Sequence, residues 1–286
     1  MAELSSTGSL HARRIIGRII THLITICICF FFLFPFYIMI TTSLKADAET
    51  ARYPVTLIPD SWVNFTAYEK VFETIPFFQY LTNTLFVTLM SVLGVVLSCP
   101  IVAYSLSRIH WKGRDQLFIV TLAVMMIPYS SIMIPIFLIY RNLNLVGTFV
   151  PLFLSQFFGA PYYIFLLRQF FKGLPGDLED SGRIDGCSEF MIFLRIFMPL
   201  CLPAIVTIMV MQLLNSWNDF TGPLIYLQKS TMYTMSIGLQ QFKEAHKTNW
   251  PQLTAAASMM SLPLIVIFFF AQKQFMEGIT FSGIKG

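Results

Sequence analysis

Long apolar runs constrain this chain more than any other feature of its sequence. A helix needs about 20 mostly apolar residues to cross the hydrocarbon core of a bilayer. Six windows reach that length, and they cover residues 16–41, 78–105, 117–140, 149–170, 198–227 and 253–271. Only 12% of the 286 residues are charged, whereas soluble domains carry about 25%. The sequence therefore predicts an all-α integral membrane protein with six transmembrane helices.

The distribution of Lys and Arg predicts how these helices are oriented. Twelve of the 19 Lys and Arg residues fall on the side that holds both termini and the segment 172–203, and seven fall on the other side. Since cytoplasmic loops carry an excess of Lys and Arg, both termini are predicted to be cytoplasmic. The chain then divides into a cytoplasmic N-terminal segment (1–15), a six-helix transmembrane domain (16–275) and a cytoplasmic C-terminal tail (276–286).

Signatures of catalysis are absent from the sequence. It holds no G-x-x-x-x-G-K-[ST] phosphate loop, no G-x-S-x-G and no H-E-x-x-H. The four His and five Cys are scattered, so no catalytic residue and no metal site is predicted. Asp219 is the one acidic residue expected well within a span. Because ion-coupled carriers usually need carboxylates in the membrane, a non-enzymatic chain driven by an external energy source is favoured.

The segment 172–203 is a charged interruption of the apolar chain and holds five of its fifteen acidic residues. We expect a short helix over residues 178–184, with Asp177 as its N-cap and Asp180 as the capping-box partner. The helix should stop near Gly186. Gly182 and Gly186 are expected to leave room for the close approach of another chain.

A second short helix is predicted to follow in the same segment. Ser188 can cap it, with Glu189 in its first turn. An apolar face follows, made of Phe190, Phe193, Ile196 and Phe197. Pro199 and Pro203 then mark the junction with the next span.

The spacing within this segment matches a known motif position by position. The residues at its positions are, in order, Asp180, Ser181, Gly182, Asp185, Gly186, Phe193, Ile196, Pro199, Leu200 and Pro203. The segment resembles the EAA loop of permease subunits in binding-protein-dependent ABC importers, with Asp-Ser-Gly in place of Glu-Ala-Ala. Because Gly lowers helix propensity by about 1 kcal/mol relative to Ala, Gly182 predicts a looser loop than is usual in the family.

Other parts of the chain extend the resemblance. Residues 215–220 with Pro223 and Leu224 resemble the fifth-helix signature of the carbohydrate branch, and the tail from Phe275 resembles that of the maltose-type second permease subunit. The resemblance implies the type I ABC importer permease architecture with a cytoplasmic EAA coupling helix. It also implies a non-catalytic subunit of the bacterial cytoplasmic (inner) membrane that moves a carbohydrate, an oligosaccharide or related sugar, into the cytoplasm.

The resemblance further implies partners and roles. The chain would form a heterodimer with a homologous permease subunit and meet two copies of an ABC ATPase subunit, which hold ATP and Mg. An extracytoplasmic solute-binding protein would contact residues 228–252. Membrane lipid is expected, whereas a cofactor on this chain and nucleic acid are not. Within residues 172–197, hereafter the charged loop, the residues implied to couple to the ATPase are Asp180, Ser181, Gly182, Asp185 and Gly186.

A polar cluster in the fifth predicted span is a candidate translocation path. It comprises Asn215, Trp217, Asn218 and Asp219, whose amides and aromatic face suit sugar hydroxyls. An ionisable residue in a span suggests function by default; the alternative is interhelical hydrogen bonding, or a position at the outer mouth. Two other functions stay open. An ion-coupled secondary carrier would transport without an ATPase, and a membrane-embedded enzyme would turn over substrate as a single chain.

Overall fold

The computed structural model describes residues 3–243 and 248–283, with the side chains of 3–14 and 273–283 excepted. Residues 284–286 of the predicted tail and 244–247 of the predicted outer loop lie outside the described residues. Within the described ranges the regular structure is helical, apart from an isolated bridge between Lys243 and Thr248. The chain divides into two compact units, Met1–Thr74 with Phe242–Met259 and Ile75–Gln241 with Met260–Gly286.

Helices make up nearly all of both units. In chain order the α-helices are α1 (Glu3–Ser43), α2 (Asp47–Thr50), α3 (Thr66–Thr74), α4 (Phe77–Ser107), α5 (Arg114–Met125), α6 (Tyr129–Asn142), α7 (Val150–Phe153), α8 (Pro161–Gly173), α9 (Asp177–Ile184), α10 (Glu189–Ile192), α11 (Met198–Leu200), α12 (Leu202–Trp217), α13 (Thr221–Tyr226), α14 (Met235–Gln240) and α15 (Trp250–Gly283). Leu154–Phe158 and Ser230–Met232 are 3₁₀ turns, and Phe193–Phe197 is a π-helical turn.

The first unit is built around α1. From residue 15 to residue 36 its side chains are exposed on every side, which is the pattern of a helix that lies in lipid. The hydroxyl of Tyr68 on α3 lies 2.8 Å from the Ser43 hydroxyl and 3.2 Å from the Ser258 hydroxyl. These two bonds tie the end of α1 to α3 and to the start of α15.

The second unit packs α4 against α8 and α12. Its core includes Tyr104 from α4, Phe171 from α8, and Phe193 and Phe197 from the π-helical turn. The ring of Tyr104 lies 5.1 Å from that of Phe193 and 5.2 Å from that of Phe197, centroid to centroid. This aromatic cluster lies where the charged loop joins the bundle, so the loop is anchored in the core.

Two of the predicted spans are broken helices. The window 117–140 is divided into α5 and α6, which meet at an angle of 101°. Pro128 lies at the break with extended backbone, φ −66° and ψ 136°, and the residue before a proline is disfavoured in a helix. The window 149–170 contains the 3₁₀ turn Leu154–Phe158 and an interruption at Gly159 before α8 begins.

The predicted fifth span, 198–227, is interrupted at both ends. Residues Glu189–Leu200 and Leu202–Trp217 meet at 76°. Pro203 has no N–H to donate to the carbonyl of Pro199, which weakens the helix at the point where it bends, next to Cys201. At the other end α12 stops at Trp217, and α13 is a separate helix.

The count of spans depends on how these bent helices are treated. Among the described residues four helical stretches are long and apolar enough to cross a membrane, namely Ile15–Ser43, Phe77–Ser107, Val150–Gly173 and Trp250–Gln272. The number rises to six when each bent pair is counted as one span. The chain is therefore an all-α membrane protein, and the predicted six spans correspond to these four stretches and the two bent pairs.

Candidate functional site

The first helix of the charged loop, α9, begins one residue earlier than predicted. Gly176 occupies the N-cap position, and no side chain caps the helix. The prediction of Asp177 as N-cap with Asp180 as its partner is therefore wrong. Asp177, Glu179 and Asp180 instead lie in the first turn, where the partial positive charge of the helix N-terminus stabilises carboxylates.

The end of α9 lies where the sequence predicts it. Gly186 has a φ of +76°, a left-handed conformation that glycine adopts without steric cost. The amide of Gly186 donates to the Arg183 carbonyl at 3.1 Å, and the amide of Cys187 donates to the Gly182 carbonyl at 2.9 Å. This pair of bonds is a Schellman motif, so the stop near Gly186 is confirmed.

The second helix starts as predicted. The Ser188 hydroxyl accepts a hydrogen bond from the Met191 amide at 3.3 Å, which confirms Ser188 as the N-cap. The helix then runs through the π-helical turn into α11. Phe193 and Phe197 are buried, whereas Phe190 is exposed, so Phe190 does not share their buried environment.

Gly182 is buried inside this chain. A Cβ at this position would lie 3.0 Å from Cγ1 of Ile192 and 3.1 Å from Cδ1 of Ile196. The missing side chain thus lets α9 approach the second helix of the same loop. The expectation that Gly182 leaves room for another chain is wrong. Gly186, in contrast, is exposed, and a Cβ there would meet nothing within 4 Å.

A buried ion pair fixes α9 to the bundle. Arg108 Nε at the end of α4 lies 3.3 Å from Glu179 Oε1. The same guanidinium donates to the backbone carbonyls of Phe171 and Leu174 and lies 5.1 Å from the centre of the Phe197 ring. One side chain therefore joins the ends of α4, α8 and α9 and the π-helical turn.

Arg183 extends this pair into a charged cluster. Its guanidinium lies 3.6 Å from Glu179, 3.3 Å from Asp180 and 2.8 Å from Glu189. The hydrogen bond to Glu189 raises the pKa of Arg183 above its usual value. Glu189 also accepts a long bond of 3.5 Å from the Tyr104 hydroxyl. The cluster connects both helices of the charged loop.

Burial dominates the electrostatics of Glu179. Loss of water raises the pKa of its carboxyl above the ordinary 4.5, while the charge of Arg108 acts in the opposite direction. Among the described residues Glu179 Oε1 has no hydrogen-bond donor, since Arg108 Nε is directed at the Phe171 carbonyl. The pair is thus a close charge contact without a hydrogen bond, and the surrounding packing holds the two side chains in place.

The remaining predicted coupling residues form the outer surface of the loop. Asp180, Ser181, Asp185 and Gly186 are all exposed. Ile184, which was not among the predicted coupling residues, is 86% exposed at the last position of α9.

The structure does not bring the four candidate path residues onto one surface. Trp217 is 1% exposed, and its ring cannot line a path in this conformation. Asn215 and Asn218 are exposed, and the Asn218 amide donates to the Leu214 carbonyl at 2.8 Å. Asp219 Oδ1 accepts from the Gly222 amide at 3.1 Å, so this carboxylate holds the start of α13.

Sequence reasoning missed four residues of this site. Arg108, Glu179 and Arg183 make the ion pairs, and Ile184 forms the exposed tip. A signal existed for Arg108, because it is the first cation after a long apolar helix. Ile184 carried no signal, since an isoleucine inside a predicted helix is normally assigned to its buried face.

Comparisons with known proteins agree with this arrangement. Residues 90–280 match the family described as binding-protein-dependent transport system inner membrane component. The arabinooligosaccharides transport system permease protein AraQ of Bacillus subtilis (strain 168) is 35% identical over 271 residues, which cover 94% of this chain and 96% of that protein. The melibiose/raffinose/stachyose import permease protein MelC of the same organism is 30% identical over 271 residues, covering 94% and 97%.

A solved structure has the same fold. It is the crystal structure of a bacterial ABC transporter involved in the import of the acidic polysaccharide alginate. One of its chains aligns with a TM-score of 0.78 and 23% identity, covering 92% of this chain and 97% of that chain.

Proposed function

Since the chain belongs to the family of inner membrane components of binding-protein-dependent transport systems, we propose that it is a permease subunit of an ATP-driven importer of carbohydrate. Its substrate class is an oligosaccharide or related sugar, delivered by an extracytoplasmic binding protein and released in the cytoplasm. Relatives named for arabinooligosaccharides and for melibiose, raffinose and stachyose support this class. An alginate transporter of similar fold is solved with a periplasmic protein that holds an alginate pentasaccharide.

The attachment of α9 to the helical bundle supports a mechanism for energy coupling. The exposed tip of α9, with Ile184 at its end, is mounted on the bundle through the buried Arg108–Glu179 pair. A tip that docks on another subunit transmits force only if its own attachment is stiff. Here α9 is attached to α4 by charge, to the second loop helix by Gly182 packing, and to α8 through Arg108. Movement of a docked ATPase would therefore displace the transmembrane helices.

The partners follow from this role. A homologous permease subunit completes the pathway as a heterodimer, and two copies of an ABC ATPase subunit bind the charged loops from the cytoplasm. ATP and Mg bind to those ATPase subunits, because this chain has no phosphate loop. Both termini are cytoplasmic, and residues 228–252 face the binding protein. Asp180, Ser181, Gly182, Asp185 and Gly186 belong to the docking element, four of them on its surface and Gly182 in its interior.

Co-purification tests this proposal. The tagged chain is expressed with its partner permease and the ATPase, and the ATPase recovered with it is quantified. Gly186→Leu should abolish recovery, because it adds bulk and strains a left-handed position. Gly186→Asn is the matched control, since Asn tolerates this conformation, and it should retain most of the recovery. Equal recovery with Leu and with wild type would overturn the docking role.

A second readout separates the other functions. Purified chain that takes up sugar down an ion gradient without the ATPase is a secondary carrier. Purified chain that converts a substrate into a product is a membrane enzyme. Sugar uptake that requires ATP, the ATPase and the binding protein supports the importer.

A further inference from the structure

The loop between α4 and α5 forms a basic concavity that the transport function leaves unused. It is a shallow, open depression of about 360 Å³ on the surface of that loop. Its lining includes Trp111, Lys112, Arg114 and Asp115. Because α4 and the bent pair of α5 and α6 are both candidate spans, a loop that joins them lies at a membrane surface.

The charge of this concavity favours an anion. Arg114 lies 3.1 Å from the Asp115 carboxylate, and Arg168 lies 3.5 Å from it. Lys112 is exposed and has no ion-pair partner among the described residues. Two cations thus contact one carboxylate, and Lys112 adds a further positive charge to the same lining. A guanidinium carries five N–H donors and Asp115 engages two of those on Arg114, so donors remain for a second anion.

The surroundings favour a lipid as the source of that anion. The Trp111 indole N–H donates to the Ser105 carbonyl at 3.4 Å, and its ring is 40% exposed. Tryptophan in this setting is typical of the headgroup level of a bilayer. Leu117, Val120 and Val124 follow at helical spacing on α5 and are all exposed. They form an apolar face that starts at the concavity and can hold an acyl chain.

We propose that this concavity binds the phosphate of an anionic phospholipid, with Lys112 and Arg114 as its cationic contacts and the exposed face of α5 against an acyl chain. Lys and Arg residues next to the end of a transmembrane helix attract the headgroups of anionic lipids. The inference goes beyond the proposed transport function and depends only on the two spans that flank the loop.

Quenching of Trp111 fluorescence tests the proposal. The assembled transporter is placed in nanodiscs of phosphatidylcholine with a fixed fraction of brominated phosphatidylglycerol, or with the same fraction of brominated phosphatidylcholine. The Trp111 signal is the difference between wild type and Trp111→Phe. We expect stronger quenching by the brominated phosphatidylglycerol, with a local preference on the order of tenfold for two basic side chains near a membrane.

Substitutions of the basic residues test whether the concavity causes the preference for phosphatidylglycerol. Lys112→Gln with Arg114→Gln should abolish it, and Lys112→Gln alone, at an exposed position that leaves the Arg114–Asp115 pair intact, should reduce it. Lys229→Gln removes an exposed cation elsewhere and should change nothing. Quenching that is equal for both lipids in the wild type, or unchanged in the Lys112 and Arg114 variants, overturns the proposal.

Two further arms distinguish other occupants. Inorganic phosphate that removes the preference, while chloride at equal ionic strength does not, assigns the site to soluble phosphate and overturns the lipid. The recovery of the ATPase is also measured in detergent without phospholipid for the variant that carries both Lys112→Gln and Arg114→Gln. Loss of that recovery would assign the surface to a protein partner and would also overturn the lipid proposal. If the ATPase is still recovered with the double variant and phosphate does not change the quenching preference, the lipid proposal is supported.

Discussion

Arg108 Nε lies 3.3 Å from Glu179 Oε1, and the two side chains are only 11% and 10% exposed. The pair joins the end of α4 to the first helix of the charged loop. Both residues are withdrawn from water, and Arg108 is the more buried of the two cations that contact Glu179. This contact determines how the exposed tip of α9 is attached to the bundle.

Removal of one partner should loosen the charged loop. Arg108→Ala removes the buried cation and leaves the half-exposed Arg183, 3.6 Å away, as the remaining partner of Glu179, so the cost should be about 3 kcal/mol, at the low end for breaking a buried pair. Hydrogen exchange of the α9 amides should accelerate accordingly. Arg195→Ala removes an exposed cation from the same loop and should leave exchange unchanged.

The double variant Arg108→Ala with Glu179→Gln tests the coupling between the two residues. It removes both charges, so part of the loss in Arg108→Ala should be recovered. A double variant whose loss equals the sum of the two single losses would show that the residues act independently.

The stability of the loop should depend on pH through Glu179. Its folded-state pKa is raised by burial, so the folded loop binds this proton more tightly than the unfolded loop. The resulting stabilisation is fully present below the ordinary pKa of 4.5 and is lost as the pH rises through the higher folded-state value. Hydrogen exchange corrected for its intrinsic pH dependence should show this change. The Glu179→Gln variant should lack this pH-dependent change. If the change persists in that variant, another titrating group causes it.

Restoration of the family's alanine at position 182 should destabilise the loop. Alanine gains about 1 kcal/mol of helix propensity over glycine, but its Cβ would lie 3.0 Å from Ile192, which is fully buried. Thermal unfolding in detergent should therefore occur at lower temperature. Gly173→Ala is the matched control, because a Cβ there meets nothing within 4 Å, and it should be neutral or stabilising. A stabilised Gly182→Ala would show that the glycine makes the loop loose.

The candidate path residues should separate into two classes. Asp219 holds the start of α13 through Gly222, so Asp219→Ala should cost about 1 kcal/mol of stability, whereas Asp219→Asn, which can still accept that bond, should cost less. Asn215→Ala and Asn218→Ala lie at exposed positions and should reduce sugar uptake without changing the unfolding temperature. Unchanged uptake in both would remove them from the path.

Local signals in the sequence predicted the local structure of the charged loop. The Ser188 cap and the stop at Gly186 depend on one residue and its immediate neighbours, and both are confirmed. The spacing of the EAA-like motif predicted the family, which is confirmed because the match of residues 90–280 includes that motif. The prediction of Asp177 as N-cap was wrong by one residue, because the helix begins at Asp177 and Gly176 occupies the cap position.

Contacts between distant parts of the chain could not be predicted in this way. Arg108 and Glu179 are far apart in sequence, and nothing in either neighbourhood indicates the other. Prolines indicated where helices could break, but the angles of 101° and 76° depend on what each half packs against. The burial of Gly182 likewise depends on Ile192 and Ile196, so its role was assigned to an outside partner.

Sugar uptake into proteoliposomes tests the central claim most directly. The chain is reconstituted with its partner permease, the ATPase and the binding protein, and uptake of a labelled oligosaccharide is followed with and without ATP. We predict uptake that requires ATP and that falls sharply in Ile184→Ser, whose exposed side chain can change without disturbing the core. Uptake by the chain without the ATPase, driven by an ion gradient and unaffected by Ile184→Ser, would contradict the account.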